Sequence, residues 1–136
     1  MKILGKFPQR RMRLNRHDEF SRRLVREHRL TADDLIYPVF IIEGARRTEA
    51  VDAMPGVKRY TIDKLLAHAE ECLTLGIPAL ALFPAIERSR KTADGREATN
   101  PKGLVPRAVS ALKKRFPELG VITDVALDPY TTHEIG

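Results

Sequence analysis

Three apolar runs stand out along the chain, at residues 35–42, 79–83 and 121–127. The first reads Leu35, Ile36, Tyr37, Pro38, Val39, Phe40, Ile41, Ile42. This run is continuous rather than alternating, the pattern of a strand buried on both faces, as in a parallel sheet. Pro38 tempers the first because it cannot donate to a ladder, and Pro84 stops the second. Between the runs the apolar period changes to 3.6 residues. Ile62, Leu65, Leu66, Ala69, Cys72 and Leu73 predict a helix capped by Thr61 and ended by Gly76. Val105, Ala108, Val109, Leu112 and Phe116 predict another, with Pro106 confined to its first turn and Lys113, Lys114 and Arg115 at its end. Residues 43–60, with the turn signal Met54-Pro55-Gly56, and the polar stretch up to Gly103 read as loops. Ahead of all this, residues 17–29 predict a short basic helix with Asp18 near its start, and Thr31, Asp33 and Asp34 a tight helical turn. The strand starts at Leu35, Ala79 and Val121 are 44 and 42 residues apart. The order strand, helix, strand, helix, strand is a βαβαβ pattern of the α/β class with a parallel sheet.

Composition narrows this. The chain has 136 residues, 43% hydrophobic and 31% charged, as expected of a soluble globular protein. That length suits one modest domain and falls well short of the roughly 250 residues of a closed (β/α)₈ barrel. The net charge of +6 is uneven. Residues 1–30 hold ten basic and three acidic side chains, a net of +7, so the basicity belongs to an arm and residues 31–136 are near neutral. Such an arm can grip phosphates, lie solvated, or strap an acidic face of a neighbouring subunit. Only Phe7 and Phe20 accompany its arginines, which weakens the case for nucleic acid. The single Cys72 excludes an intramolecular disulfide framework. There is neither a transmembrane-length apolar run nor a secretory signal pattern, so a cytoplasmic location is the default expectation.

Ligands of parallel α/β folds gather at the C-terminal ends of strands. This directs attention to Asp124, Asp128, Tyr130, Thr131, Thr132 and His133. A carboxylate within an apolar strand is costly unless paired, hydrogen-bonded or metal-bound. Alternation puts Asp124 and Ala126 on one face, with Asp128 joining them if the strand persists. Two carboxylates at one rim suit a hard cation such as Mg²⁺, and one of them suits acid–base work. The plainer readings are that Asp128 before Pro129 starts a turn, His133 is an ordinary loop residue, Cys72 packs in a core, and Lys113 to Arg115 form a solvated helix end. No dinucleotide fingerprint, phosphate loop or nucleophile elbow is present. No lysine ends an apolar strand, where desolvation would prepare it for Schiff-base chemistry.

Six segments occur in the order found in one family: Arg22-Arg23-Leu24-Val25-Arg26-Glu27, Asp33-Asp34-Leu35-Ile36-Tyr37-Pro38-Val39-Phe40, Met54-Pro55-Gly56-Val57, Leu75-Gly76-Ile77-Pro78-Ala79, Ala81-Leu82-Phe83-Pro84, and the stretch from Val121 to His133. From about Arg10 to His133 the chain resembles the front part of δ-aminolevulinic acid dehydratase, also called porphobilinogen synthase. The resemblance implies a TIM (β/α)₈ barrel of which residues 31–136 are about the first three β/α units and residues 1–30 the N-terminal arm. It implies a lyase that condenses two 5-aminolevulinate molecules, with loss of water, into porphobilinogen for haem and other tetrapyrroles. It also implies a homo-oligomer, usually an octamer, in which each arm wraps a partner.

By the same resemblance, the stretch from Asp124 to His133 is the metal-binding segment. Asp124 is the catalytic carboxylate and Asp128 a metal ligand. Cysteines of the zinc-dependent members are replaced by Ala126 and Asp128, which favours Mg²⁺ over zinc. The family's Schiff-base lysines and its third metal ligand have no counterpart here, and Thr99 stands where a tyrosine is common. The chain alone is therefore expected to be inactive and poorly soluble or partly folded. The alternative is a non-catalytic remnant or interaction protein that binds a full-length subunit through its basic arm.

Overall fold

The computed structural model describes residues 5, 6, 8, 11 and 13–133. The chain divides into two compact units, Met1–Leu30 and Thr31–Gly136. The described residues of the first contain a 3-10 turn, Arg13–Arg16, and a short helix, α1 (Glu19–Leu24). This helix is shorter than the expected 17–29. Asp18 occupies the N-cap position but makes no cap bond, because its carboxylate lies 2.8 Å from Nδ1 of the adjacent His17. Arg22 ties the turn together, donating to Glu19 and to the carbonyls of Arg16 and His17. The apolar residues Phe20, Leu24 and Val25 are exposed.

The second unit is a five-stranded sheet with two helices. The strands are β1 (Ile36–Ile41), β2 (Thr48–Ala50), β3 (Lys58–Tyr60), β4 (Ala79–Pro84) and β5 (Gly120–Thr123), in the order β2-β3-β1-β4-β5. β3, β1, β4 and β5 run parallel, and β2 pairs antiparallel with β3. The three apolar runs are therefore the strands β1, β4 and β5, as the βαβαβ reading requires. The β2–β3 pair lies in the stretch expected to be loop. Its strands are three residues long and half of their residues are charged, Thr-Glu-Ala and Lys-Arg-Tyr, so no apolar period announces them. Pro38 is tolerated because β3 pairs only with Phe40 and Ile41, leaving Pro38 a ladder neighbour on the β4 side alone.

The helices are α2 (Ile62–Thr74) and α3 (Leu104–Arg115). Both pack on one face of the sheet. Leu65, Ala69 and Cys72 of α2 and Leu104, Ala108 and Leu112 of α3 meet Val39, Ile41, Leu80 and Leu82 in a single buried core. The alternate strand residues Ile36, Phe83 and Ile122 point to the opposite face and remain exposed. Two glycines serve this arrangement. Gly76, at φ 81°, closes α2 with its N–H on the Leu73 carbonyl while Ile77 N–H reaches that of Cys72, the paired bonds of a Schellman end. Gly120 opens β5 where an added Cβ would stand 2.9 Å from that of Ala79.

Two local expectations change. Thr61 is fully buried at the start of α2 but does not cap it; its hydroxyl donates to the Arg47 carbonyl at 3.0 Å and accepts from the Arg47 N–H at 3.1 Å. The hydroxyl thus clips the loop before β2 to the helix instead. The basic end of α3 is not simply solvated. Lys113 donates to the carbonyls of Pro117 and Leu119 at 2.6 and 2.8 Å, and Arg115 pairs with Glu70 of α2 at 3.3 Å. The free carbonyls beyond a helix C-terminus give Lys113 these partners. At Thr31 the turn forms as expected: Asp34 accepts from the Thr31 N–H at 2.8 Å across the 3-10 turn Ala32–Asp34.

Candidate active site

The parallel register aligns Ile36, Ala79 and Gly120 at one level of the sheet. The carboxyl ends of β1, β4 and β5 consequently form one rim, where residues from separate loops converge. Glu43 follows β1, the segment from Ala85 onward follows β4, and Asp124 follows β5.

Four charged side chains lock this rim. Glu43 accepts from Arg90 at 3.3 Å and from Arg107 of α3 in a close contact, and Arg90 also reaches Glu97 at 3.7 Å. The Glu43 and Glu97 side chains are only 17% and 18% exposed, which leaves less water to screen them than at an open surface. Arg107 is held in turn by the Lys102 and Gly103 carbonyls, and Glu97 accepts from Asn100 at 3.1 Å. The clasp joins the loop after β1, the two 3-10 turns after β4 and the start of α3. Sequence reasoning passed over these four residues. The available signal was Glu43, a carboxylate directly following the apolar run of β1, at the strand end where sites gather.

Beyond the clasp, the chain after β4 meets the chain after β5. Thr92 N–H donates to the Tyr130 carbonyl at 3.1 Å, and Thr132 N–H to that of Thr92 at 3.2 Å, making a short parallel bridge. Beside it Thr92 donates to Asp94 at 2.6 Å and Arg96 engages both Asp94 oxygens. The Thr92 hydroxyl, and then Arg96, hold the Asp94 carboxyl down to about 2. Burial, and after it Glu97, pushes the Tyr130 hydroxyl up.

Two clefts flank the bridge. One, of about 650 Å³, is lined by Arg88, Lys91, Asp128, Thr131, Thr132 and His133. The other, of about 340 Å³, lies against the start of α3 and takes in Asp124, Ala126, Tyr130 and Glu97. The predicted site residues are thus at the rim but not in one constellation. β5 ends at Thr123, so Asp124 is one residue past the strand and exposed, not buried within it. β5 is last in the sheet order, paired with β4 alone among the described strands. The strand does not persist to Asp128 either. Asp128 starts the 3-10 turn Asp128–Tyr130, with Pro129 in its first turn, and lines the other cleft together with His133. Cys72 lies apart in the core on α2, its thiol pushed up by burial and then by Glu71.

A hard cation takes six or more oxygen ligands. Among the described residues no group of three His, Cys, Asp or Glu side chains could hold a metal ion. Asp128 offers one carboxylate, and the arrangement falls short of a complete metal site.

Comparison with known proteins agrees with this geometry. The sequence model of the family described as Delta-aminolevulinic acid dehydratase matches residues 9–135. The chain is 50% identical over 123 residues to the Delta-aminolevulinic acid dehydratase of Bradyrhizobium diazoefficiens, covering 90% of this chain and 35% of that protein. It is 41% identical to the one of Chlamydia pneumoniae, covering 91% of this chain and 37% of that protein. A crystal structure of the Toxoplasma gondii enzyme, porphobilinogen synthase in complex with its reaction product porphobilinogen, superimposes with a TM-score of 0.84 at 39% identity, over 91% of this chain and 35% of that one. The chain therefore spans little more than a third of the length of the relatives it matches. Its sheet and helices match part of a (β/α)₈ barrel, and the chain belongs to the delta-aminolevulinic acid dehydratase family.

Proposed function

We propose that this chain supplies the opening third of a porphobilinogen synthase, which condenses two molecules of 5-aminolevulinate into porphobilinogen with loss of water. The observation that carries the proposal is the backbone match, TM-score 0.84, to a structure holding that product. In this reading the exposed rim carboxylate Asp124 orients substrate or moves a proton at its carboxyl oxygens. Asp128 would supply one hard oxygen ligand to a divalent ion whose other ligands lie outside the described residues, and Mg²⁺ would suit it better than zinc because Ala126 and Asp128 offer no thiolate. The ion would contribute electrostatic stabilisation of developing negative charge. The clasp around Glu43 keeps the β4–α3 loop at the rim while those groups act.

The basic arm, net +7 over residues 1–30, serves as a strap onto a second subunit of a homo-octamer in the cytoplasm. Consistent with this, Phe20 and Leu24 of α1 are exposed, and no described helix is long and apolar enough to cross a membrane. By the resemblance the Schiff-base lysines lie on later strands, and no lysine of these 136 residues ends an apolar strand where desolvation would prepare it for imine formation.

The test is a chimera in which residues 1–136 precede the remaining two thirds of the Bradyrhizobium relative. Porphobilinogen formed from 5-aminolevulinate is then measured with and without Mg²⁺. The chimera is expected to turn over, its Asp124→Asn variant to lose roughly 100-fold or more in kcat, and the 136-residue chain alone to give none. A folded but inactive chimera, or turnover by the chain alone, would overturn the reading.

A further inference from the structure

We infer that Asp94–Gly95 is a latent isoaspartate site, a backbone modification that Thr92 and Arg96 hold off in the native fold. It is the chain's single Asp-Gly pair, and no Asn-Gly pair occurs. A glycine leaves the peptide nitrogen after the aspartate unshielded by any Cβ, so attack on the side chain meets least hindrance there. In that step the Gly95 nitrogen bonds to the Asp94 carboxyl carbon and closes a succinimide ring. The N–H proton and the hydroxyl of the protonated carboxyl leave together as water. Water then reopens the ring. Addition at the former side-chain carbonyl restores aspartate. Addition at the α-carbonyl breaks the original peptide bond and leaves isoaspartate, with the chain running through the side-chain carbon and a free α-carboxylate. One water is lost and one regained, with no electron transfer.

Three native contacts oppose the first step. Gly95 N–H donates to the Thr92 carbonyl at 3.2 Å, which fixes the attacking nitrogen in a turn. The Thr92 hydroxyl donates to one Asp94 oxygen at 2.6 Å, and Arg96 engages both oxygens at 3.3 and 3.2 Å. Those bonds favour the ionised carboxylate, which lacks the hydroxyl that must leave. The same hydroxyl accepts from the Arg96 N–H at 3.1 Å, so one side chain holds both partners in place. Gly95 itself is buried at φ 63°, and a Cβ added there would stand 3.2 Å from Cγ2 of Thr131. The Asp94 side chain is nevertheless 59% exposed, so water reaches it whenever the clamp opens. The product has nowhere to go in the native fold. Isoaspartate lengthens the backbone by one atom, yet the Thr92 carbonyl accepts from both Gly95 and Thr132, each at 3.2 Å. The lesion therefore unmakes the bridge between the chain after β4 and the chain after β5. None of this depends on the reaction proposed above.

The experiment ages the 136-residue chain at neutral pH and body temperature, dilute enough to sediment as a monomer. Isoaspartate is located by peptide mapping and by methyl labelling of the freed α-carboxylate with an isoaspartyl methyltransferase. A synthetic peptide of residues 88–100 and the same chain opened in urea give the rate without the clamp. The native chain is expected to form isoaspartate at Asp94 at least roughly tenfold more slowly than either reference. Thr92→Val and Arg96→Met, with the amide dispersion of the parent chain, should each accelerate it several-fold, at Asp94 and not elsewhere. The isolated aged form should lose amide protection at Gly95 and Thr132. A native chain as fast as the peptide, folded variants no faster than the parent, or an opened chain without isoaspartate at Asp94 would overturn the inference. Where a variant loses its dispersion, the comparison of native chain, peptide and opened chain decides the matter alone.

Discussion

Thr61 shows how a single side chain can be assigned correctly to a position and wrongly to a role. A threonine before an amphipathic run predicts a helix cap. In the structure the helix is where it should be, but the hydroxyl is sealed from water and spans the Arg47 backbone. Replacing it with valine keeps the shape and strands an N–H and a carbonyl, so Thr61→Val is expected to cost about 1–3 kcal/mol in chemical denaturation. A neutral result would mean that water replaces the hydroxyl. Asp94 offers a pH test at the same scale. Its folded carboxyl sits near 2 rather than the usual 3.8, so its contribution is complete above about 4 and fades as the pH falls toward 2. A carboxyl titration by NMR should place its midpoint near 2 in the parent chain. In Thr92→Val the midpoint should move up toward the ordinary value, since the Thr92 hydroxyl is its largest stabiliser.

At the scale of elements, packing and charge divide the labour. α2 and α3 are held by a shared apolar core, which the 3.6-residue period anticipates. The loops at the rim are held by ions, which no period announces. Glu43 joins three of these segments through Arg90 and Arg107. Glu43→Gln is accordingly expected to lower stability by only about 1 kcal/mol while raising amide exchange at Gly95, Ala98 and Asn100. About 1 M salt should imitate part of that effect by screening. Unchanged exchange in the variant would show that the 3-10 turns hold themselves. β2 and β3 belong to this scale too: three residues each, with charged side chains, they are specified by pairing, β3 to β1 and β2 to β3, and not by their own sequence.

At the scale of the whole molecule, the described sheet is covered by helices on one face only. α2 and α3 cover one face, while Ile36, Phe83 and Ile122 stay 56%, 38% and 44% exposed on the other. β5 is also an open edge, a template for another strand. The 136-residue chain is therefore expected to self-associate as its concentration rises. Ile122→Lys, which puts a charge on that edge, should suppress the effect in sedimentation measurements. A parent chain that remains monomeric throughout would refute this. In the proposed barrel the remaining strands cover these surfaces, and the side chains are apolar because that closed interior selects them.

The sequence by itself determined the order and class of the main elements. Continuous apolar runs and a 3.6-residue period are local consequences of which faces must leave water, so β1, α2, β4, α3 and the start of β5 were legible within a residue or two. Six collinear segments also made the family legible, and the strand end directed attention to Asp124 and Asp128. Tertiary structure alone decided where those carboxylates stand. β5 stops at Thr123, which leaves Asp124 exposed, and Asp128 turns into a separate cleft. It alone also brought Glu43, Arg90, Glu97 and Arg107 together, because ion pairs between loops 47 and 64 residues apart leave no trace in any local pattern. Burial is written along the chain residue by residue, whereas the meeting of charges from different loops is written only in the fold.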